Sequence, residues 1–389
     1  MNYKEKFQLV PSANYAPNDV ESILTHLENV GKKFSDVYFS TGRPISIKVD
    51  GEPFTVSSRD LTKDEVDGFL IHLTKDQTAH FHVANGNDID ESCSIKTSER
   101  GKFYRYRLNA SSFTIPDKGR GCTITIRQIS PEPPVLEAIN LDEDIAESLM
   151  PSQGLVLVCG PTGSGKSTTL AASIRHRALR NEKDENGNFI HKGLIFLTYE
   201  DPIEYVHNYK CENGTLIFQA SVGQRGDVKT FKQGLKNALR RAPNIMLIGE
   251  MRDEESVDIG LQICISAHTC ISSLHADDAP AVFGRLASYY PAEIQQAKML
   301  QILQSIKVVL VQALVPKIGG GRVMIMEYLK FTDEIINEIS DEITRLGLDS
   351  LKSIISERVE KYGISKRAST QKALEAGLIT ELTAKSILK

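Results

Sequence analysis

The sequence lacks long apolar runs, paired cysteines and any marked net charge, and each absence removes a class of protein. No stretch approaches the roughly 18 apolar residues of a membrane-spanning helix; the best candidates, residues 155–159 and 308–315, have the length of core segments. The opening stretch, MNYKEKFQLVPSANYAP, has no apolar centre of the signal-peptide kind, so a cytoplasmic location is expected unless a partner holds the chain at a membrane. The six cysteines (Cys93, Cys122, Cys159, Cys211, Cys264 and Cys270) show no C-x-x-C spacing. In a chain of 389 residues they read as reduced thiols and core fillers, not as a disulfide framework. A formal charge of −4 gives no global case for binding nucleic acid or anionic lipid. Internal repeats and low-complexity tracts are also missing.

What is present is ordinary globular composition on a chain long enough for two or three domains. Residues 1–130 read as an α+β domain. Strands are expected at 36–40 and 45–49, with turns at Gly42-Arg43-Pro44 and Asp50-Gly51, and helical spacing runs over 61–73. Residues 103–108 alternate Arg105 and Arg107 against aromatic and aliphatic neighbours, as a half-exposed strand would, and 123–129 repeat the pattern. The run Pro131-Glu132-Pro133-Pro134 fits neither helix nor central strand, so 131–140 is expected to be a linker. Over 141–331 short unbroken apolar runs (155–159, 194–198, 245–248, 269–274) alternate with helical segments. That is the pattern of parallel strands buried on both faces. Residues 332–389 read as helical, with Ile335, Ile336, Ile339, Ile343 and Leu346 at three- and four-residue steps.

Between the first apolar run and a good helix stands Gly160-Pro161-Thr162-Gly163-Ser164-Gly165-Lys166-Ser167-Thr168, a full match to G-x-x-x-x-G-K-[ST]. Glycines let consecutive backbone N–H groups turn inward around phosphates, and the helix N-terminus adds its dipole. Lys166 is expected at the β- and γ-phosphates and the Ser167 hydroxyl on Mg²⁺. No N-K-x-D guanine signature and no L-S-G-G-Q signature appear, which disfavours a GTPase and an ABC-type transporter subunit.

Three further clusters fall beside predicted strands. Glu200-Asp201-Pro202-Ile203-Glu204 follows the second run. Glu250-Met251-Arg252-Asp253 follows Gly249 at the end of the third, a Walker B strand with Gly-Glu where Asp-Glu is usual. His268 opens the fourth and His275 closes it. Carboxylates hold Mg²⁺, here Glu200 and Glu250 partly through water, and orient the attacking water; a histidine at the γ-phosphate could donate a hydrogen bond. Cys264, His268 and Cys270 resemble a metal cluster, but no second Cys/His pair completes the four ligands of a structural zinc.

In this order the motifs resemble the secretion ATPase superfamily of type II and type IV secretion and type IV pili. The resemblance spans about residues 35–330. It includes the acidic run from Thr198 to His207, Gly249–Asp253, the histidine box ending Ser-Leu-His-Ala, Gln224-Arg225, Tyr290-Pro291-Ala292-Glu293 and Gly319-Gly320-Gly321-Arg322. The compact N-terminal domain is similar to the pilus-retraction (PilT-like) branch; length and tail are nearer the type IVB secretion and conjugation (DotB- or TraJ-like) branch. Two departures stand out: Ser266-Ala267 where Thr-Gly is usual, and Ser272-Ser273 where Gly-Thr is usual.

The resemblance implies an α/β, RecA-like P-loop core with a smaller PAS-like N-terminal domain and a helical tail. It implies a Mg²⁺-dependent ATPase working as a homo-hexamer, peripheral to the inner membrane through secretion or pilus platform proteins, without direct nucleic-acid binding. It also implies that Arg105, Arg107, Arg120 and Arg127 supply charge to a phosphate across a domain or subunit boundary. Glu250 and Glu204 rank together as the general base, with Glu200 a further candidate. A P-loop kinase and a DNA-translocating motor are the competing readings.

Overall fold

The computed structural model describes residues 3–30, 34–49, 52–96, 103–116, 119–129, 132–223 and 226–388. The expected turn at Asp50-Gly51, Pro131 of the expected linker and the Gln224-Arg225 pair lie outside the described residues. The chain forms two compact units, Met1–Pro131 and Glu132–Lys389.

The first unit carries one antiparallel sheet in the order β3-β2-β1-β6-β5-β4. Its strands are β1 (Asp36–Ser40), β2 (Pro44–Val49), β3 (Glu52–Asp60), β4 (Ile89–Lys96), β5 (Phe103–Ile115) and β6 (Gly119–Ile129). Alternation decides the faces. Tyr106, Leu108 and Ala110 of β5 and Ile124 and Ile126 of β6 enter a core shared with Val20, Leu24 and Leu27 of the helix Asp19–Asn29 and Phe69 and Leu70 of the helix Lys63–Thr74. The second helix starts with a capping box: Thr62 receives the Glu65 N–H while the Glu65 carboxylate receives the Thr62 N–H.

The second unit holds a seven-stranded sheet in the order β13-β12-β7-β11-β10-β8-β9. These are β7 (Gly154–Cys159), β8 (Ile195–Glu200), β9 (Leu216–Ser221), β10 (Ile245–Ile248), β11 (Thr269–Leu274), β12 (Ile306–Pro316) and β13 (Arg322–Lys330). All neighbours are parallel except β12 and β13. Every residue of β7 is buried. Leu155, Leu157 and Cys159 face one core cluster and Val156 and Val158 the other, so the unbroken apolar run reflects two covered faces. The helix Lys166–Leu179 lays Leu170 and Ile174 on the second cluster, each worth roughly 1.5–3 kcal/mol of burial. With the phosphate loop following its central strand, this sheet is a RecA-like P-loop core.

The helical segment from 332 onward is continuous with that core. Ile335, Ile336, Ile339 and Ile343 of the helix Asp333–Leu346, and Ile354, Ile355 and Val359 of the helix Leu351–Tyr362, belong to the same cluster as Leu155. Arg358, 4% exposed, locks the two helices through Glu338 and Glu342. Two short helices, Lys366–Glu375 and Glu381–Ile387, bring Ala373 and Ala384 against Val323 and Ile325 of β13.

Candidate nucleotide-binding site

The loop from Gly160 to Gly165 needs its glycines for two separate reasons. Gly160, Gly163 and Gly165 all have positive φ, 145°, 78° and 89°. A Cβ on Gly160 would also stand 2.2 Å from the Gln312 carbonyl of β12, so the loop presses against that strand. Gln312 Nε2 in turn donates to the Ser164 carbonyl at 2.7 Å. The helix then begins at Lys166 with Gly165 as N-cap and no side-chain cap, leaving its first N–H groups to an anion. Pro161 and Thr162 are exposed at the loop tip, Ser164 is buried beneath it and Ser167 is half-buried at the helix start.

Lys166 Nζ donates to the carbonyls of Gly160 and Pro161, at 2.9 and 3.1 Å. Burial pulls this ammonium below the usual lysine range, opposed mainly by the negative charges of Glu250 and, more weakly, Glu204. Both carboxylates therefore act electrostatically on this lysine. Glu250 is 20% exposed; its Oε2 accepts from Arg252 Nε at 2.8 Å and its Oε1 lies 3.2 Å from His275 Nε2. The neighbouring strand sets this turn: Ser273 Oγ donates to the Gly249 carbonyl at 2.7 Å, and Met251 N–H donates to the Ser273 carbonyl at 2.9 Å. The serines at 272 and 273 thus tie β11 to the end of β10. Asp253, beside Glu250 in sequence, caps the helix Glu254–Ile265.

Glu200 ends β8, and its Oε1 accepts from Thr198 Oγ1 at 2.6 Å and Gln219 Nε2 at 3.2 Å. The acidic loop folds back on the phosphate-loop helix, with the Tyr205 hydroxyl 2.9 Å from Thr168 Oγ1. Thr168 is thus engaged by a protein hydroxyl. Burial, and then the Arg175 charge, lower His207 to about 4, and its neutral ring shares a hydrogen bond at Nδ1 with the Tyr209 hydroxyl.

The two histidines separate. His275 follows β11 at its carboxyl end beside Glu250. His268 precedes the strand, and its carbonyl accepts from Gly154 N–H at the amino end of the sheet. Seven residue steps at about 3.3 Å each put them roughly 23 Å apart. Within one chain, the expectation that both face one phosphate gives way to His275 alone at this edge. Ala267, just before His268, has φ 61° in the turn that closes the helix Glu254–Ile265. Its N–H donates to Cys264 O, and the His268 N–H donates to Ile263 O. Cys264 is buried, and burial pushes its thiol up to about 12.

The four arginines divide as well. Arg107 lies directly opposite Arg127 in the β5–β6 ladder, and Arg105 is two residues along, so these three share the face away from the unit's core. Arg107 makes a bidentate pair with Asp90 at 2.9 and 2.7 Å, Arg127 Nε donates to the buried Asp36 at 2.8 Å, and Arg105 Nη2 donates to Ser92 Oγ at 3.2 Å. Arg120 pairs opposite Thr114 in the unbroken register and falls on the other face. There its Nη1 donates to the Ala84 carbonyl at the end of the helix Ala79–Ala84, which separates it from the other three.

Gln312, Gln219 and Tyr205 escaped the sequence reading as site residues. For Gln312 a signal existed: a lone glutamine in the apolar run of residues 308–315. Arg322, beside the Gly-rich turn, donates to the Gly163 carbonyl at 3.3 Å. Among the described residues no three His, Cys, Asp or Glu side chains stand close enough to hold a metal by themselves. Magnesium therefore fits only as an ion shared between Ser167, the carboxylates and a bound phosphate.

The profile of the Type II/IV secretion system protein family matches residues 90–342. The chain belongs to that family. Over 352 residues it is 32% identical to the type IV pilus retraction ATPase PilT of Pseudomonas aeruginosa, covering 87% of this chain and 94% of that protein. The type IV pilus ATPase PilU of the same organism is 30% identical over 301 residues, covering 77% and 72%. Among solved structures, the Legionella pneumophila ATPase DotB superposes with a TM-score of 0.82 at 28% identity, over 98% of each chain. The retraction motor PilT with bound ADP gives 0.75 at 27% identity, over 95% and 96%. The relatives of this family member are thus ATPases of secretion and pilus machines. Among the described residues no helix is long and apolar enough to cross a membrane.

Proposed function

We propose that this chain is a Mg²⁺-dependent ATPase that works as a hexameric motor for a membrane-embedded type IVB secretion or conjugation machine. The observation that carries the enzymatic reading is the gathering of Lys166, Glu250 and His275 at the carboxyl edge of β7, β10 and β11, with Glu204 coupled to the lysine. Uncapped N–H groups and Lys166 bind the β- and γ-phosphates. Glu250 or Glu204 orients and polarises the attacking water, and His275 donates toward the γ-phosphate. Ser167, Glu200 and Glu250 would hold a magnesium ion, partly through water, and the ion would supply positive charge against the phosphates. The face bearing Arg105, Arg107 and Arg127 offers positive charge to a γ-phosphate, with Arg120 a weaker candidate because it points to the opposite face.

The system is read from the likeness to DotB over nearly the whole length of both chains, C-terminal helices included. Pilus retraction is the second reading, favoured by 32% identity to PilT. Platform proteins would hold the ring at the cytoplasmic face of the inner membrane. Phosphate release from ATP by the purified chain, with and without Mg²⁺, tests the enzyme. Wild-type rates in Lys166→Ala would overturn it. Sizing with a non-hydrolysable ATP analogue tests the ring, and restoration of twitching in a retraction-deficient host would favour the pilus reading.

A further inference from the structure

We propose that Gln219, on the edge strand β9, is the positioning residue that orients the Glu200 carboxylate and the acidic loop against the phosphate-loop helix. The inference rests on the ATPase reading above and names a side chain that reading does not use.

The case begins with strand register. Gln219 stands directly opposite Thr198 in the parallel β8–β9 pair. It also follows Ile217 by two residues and so shares the face that packs on the cluster beneath the phosphate-loop helix. Its amide makes three hydrogen bonds. Oε1 accepts from the His207 backbone N–H at 2.8 Å, while Nε2 donates to the Tyr205 carbonyl at 2.8 Å and to Glu200 Oε1 at 3.2 Å.

A backbone N–H can only donate, so His207 fixes which end of the amide is oxygen. The NH₂ group is thereby forced toward Tyr205 and Glu200. Thr198 Oγ1 donates to the same Glu200 oxygen. Two neutral donors on opposed strand positions thus hold Oε1 and set the plane of the carboxylate without neutralising its charge. The Tyr205 hydroxyl against Thr168 Oγ1 closes the circuit onto the residue next to Ser167. A glutamine alone among common side chains supplies an acceptor for one backbone group and two donors for the others at this spacing.

Gln219→Leu removes all three bonds, and Gln219→Glu keeps the acceptor for His207 while replacing the donor. The second variant places a like-charged carboxylate oxygen where the amide donated to Glu200, while keeping the bond to the His207 N–H. The experiment measures ATP hydrolysis by the full chain and both variants, with Mg²⁺ titrations, binding of a fluorescent ADP analogue and thermal unfolding. Gln219→Leu is expected to lower kcat about tenfold or more and to raise the Mg²⁺ concentration for half-maximal rate, with ADP-analogue affinity within about twofold. Gln219→Glu, which keeps the acceptor for His207 but loses the donor to Glu200, is expected to lower kcat about tenfold or more as well.

A Glu variant with wild-type kcat and Mg²⁺ dependence would overturn the proposal. So would a Leu variant with wild-type kcat and Mg²⁺ dependence. Loss of folding in Gln219→Leu leaves kcat and Mg²⁺ dependence of the near-isosteric Gln219→Glu as the deciding measurement. Absence of hydrolysis in wild type would instead sink the ATPase reading itself.

Discussion

Glu65 in the first unit and Glu250 in the second each accept from an arginine, but the rest of their surroundings differ. Glu65, 8% exposed, receives both terminal nitrogens of Arg59 and the backbone N–H groups of Thr62 and Tyr15. Glu250 receives Arg252, 58% exposed, and faces His275, 41% exposed. Backbone donors in a closed cap cannot be traded without unfolding the helix start. Exposed side chains can swing aside for a substrate at little cost, because solvent-facing ion pairs are worth about 0–1 kcal/mol. The comparison separates a carboxylate that holds a fold from one arranged to change partners. Arg107 with Asp90 and Arg127 with Asp36 stand between these cases: each must leave a carboxylate before it can serve a phosphate.

The largest expected effect sharpens that intermediate case. Arg105→Ala or Arg107→Ala should lower turnover by on the order of 10³-fold or more with ATP still bound, whereas Asp90→Ala should leave turnover intact. Near-normal rates in both arginine variants would return the patch to a structural role. Next, Glu250→Gln should cut kcat by about 10²–10⁴ with little change in melting temperature. Single-turnover kinetics beside Glu204→Gln would show which variant binds ATP and stalls.

Glu65→Gln should do the reverse, costing about 2 kcal/mol of stability in urea unfolding and leaving kcat unchanged at permissive temperature. Burial alone would raise the Glu65 carboxyl; the Arg59 hydrogen bonds, then the Thr62 and Tyr15 N–H groups, overcome it and hold it at about 2. A folded-state pKa below the unfolded value of 4.5 contributes stability that is fully present above about pH 4.5 and lost as pH falls toward about 2. The gap between wild type and Glu65→Gln should therefore close over that window; a constant gap would break the comparison. The smallest effect is Ala267→Gly, which removes a left-handed alanine and should stabilise by about 1 kcal/mol in chemical denaturation.

Much of the second unit was legible because β7, β8, β10 and β11 are covered on both faces and so written as unbroken apolar runs. β9 was not: an edge strand reading Leu-Ile-Phe-Gln-Ala-Ser keeps Leu216 and Phe218 exposed and blurs the pattern. β3 hid for a related reason, its polar residues lying at the rim of the first sheet. At the site, motif spacing pointed to Lys166 at a helix start and to Glu250 and His275 just past strand ends. The structure brings these three to one edge of the sheet. Motif spacing misplaced His268, because a motif that brackets a strand places its two ends at opposite edges of the sheet. Gln219 and Gln312 stayed hidden since their work is done by a single amide reaching a neighbour distant in sequence.

The contact of Gln312 with the phosphate loop also bears on the order in which the chain becomes competent. All the residues proposed to bind and cleave nucleotide precede residue 276, yet the wall against Gly160 and the amide on Ser164 come from 148 positions beyond that serine. A ribosome that has released residue 300 has made the phosphate loop, the acidic cluster and both histidines, but not the strand that walls the loop. The loop is braced only when β12 inserts beside β7, so a product truncated before it would carry the phosphate-loop motif without the contacts that set its shape.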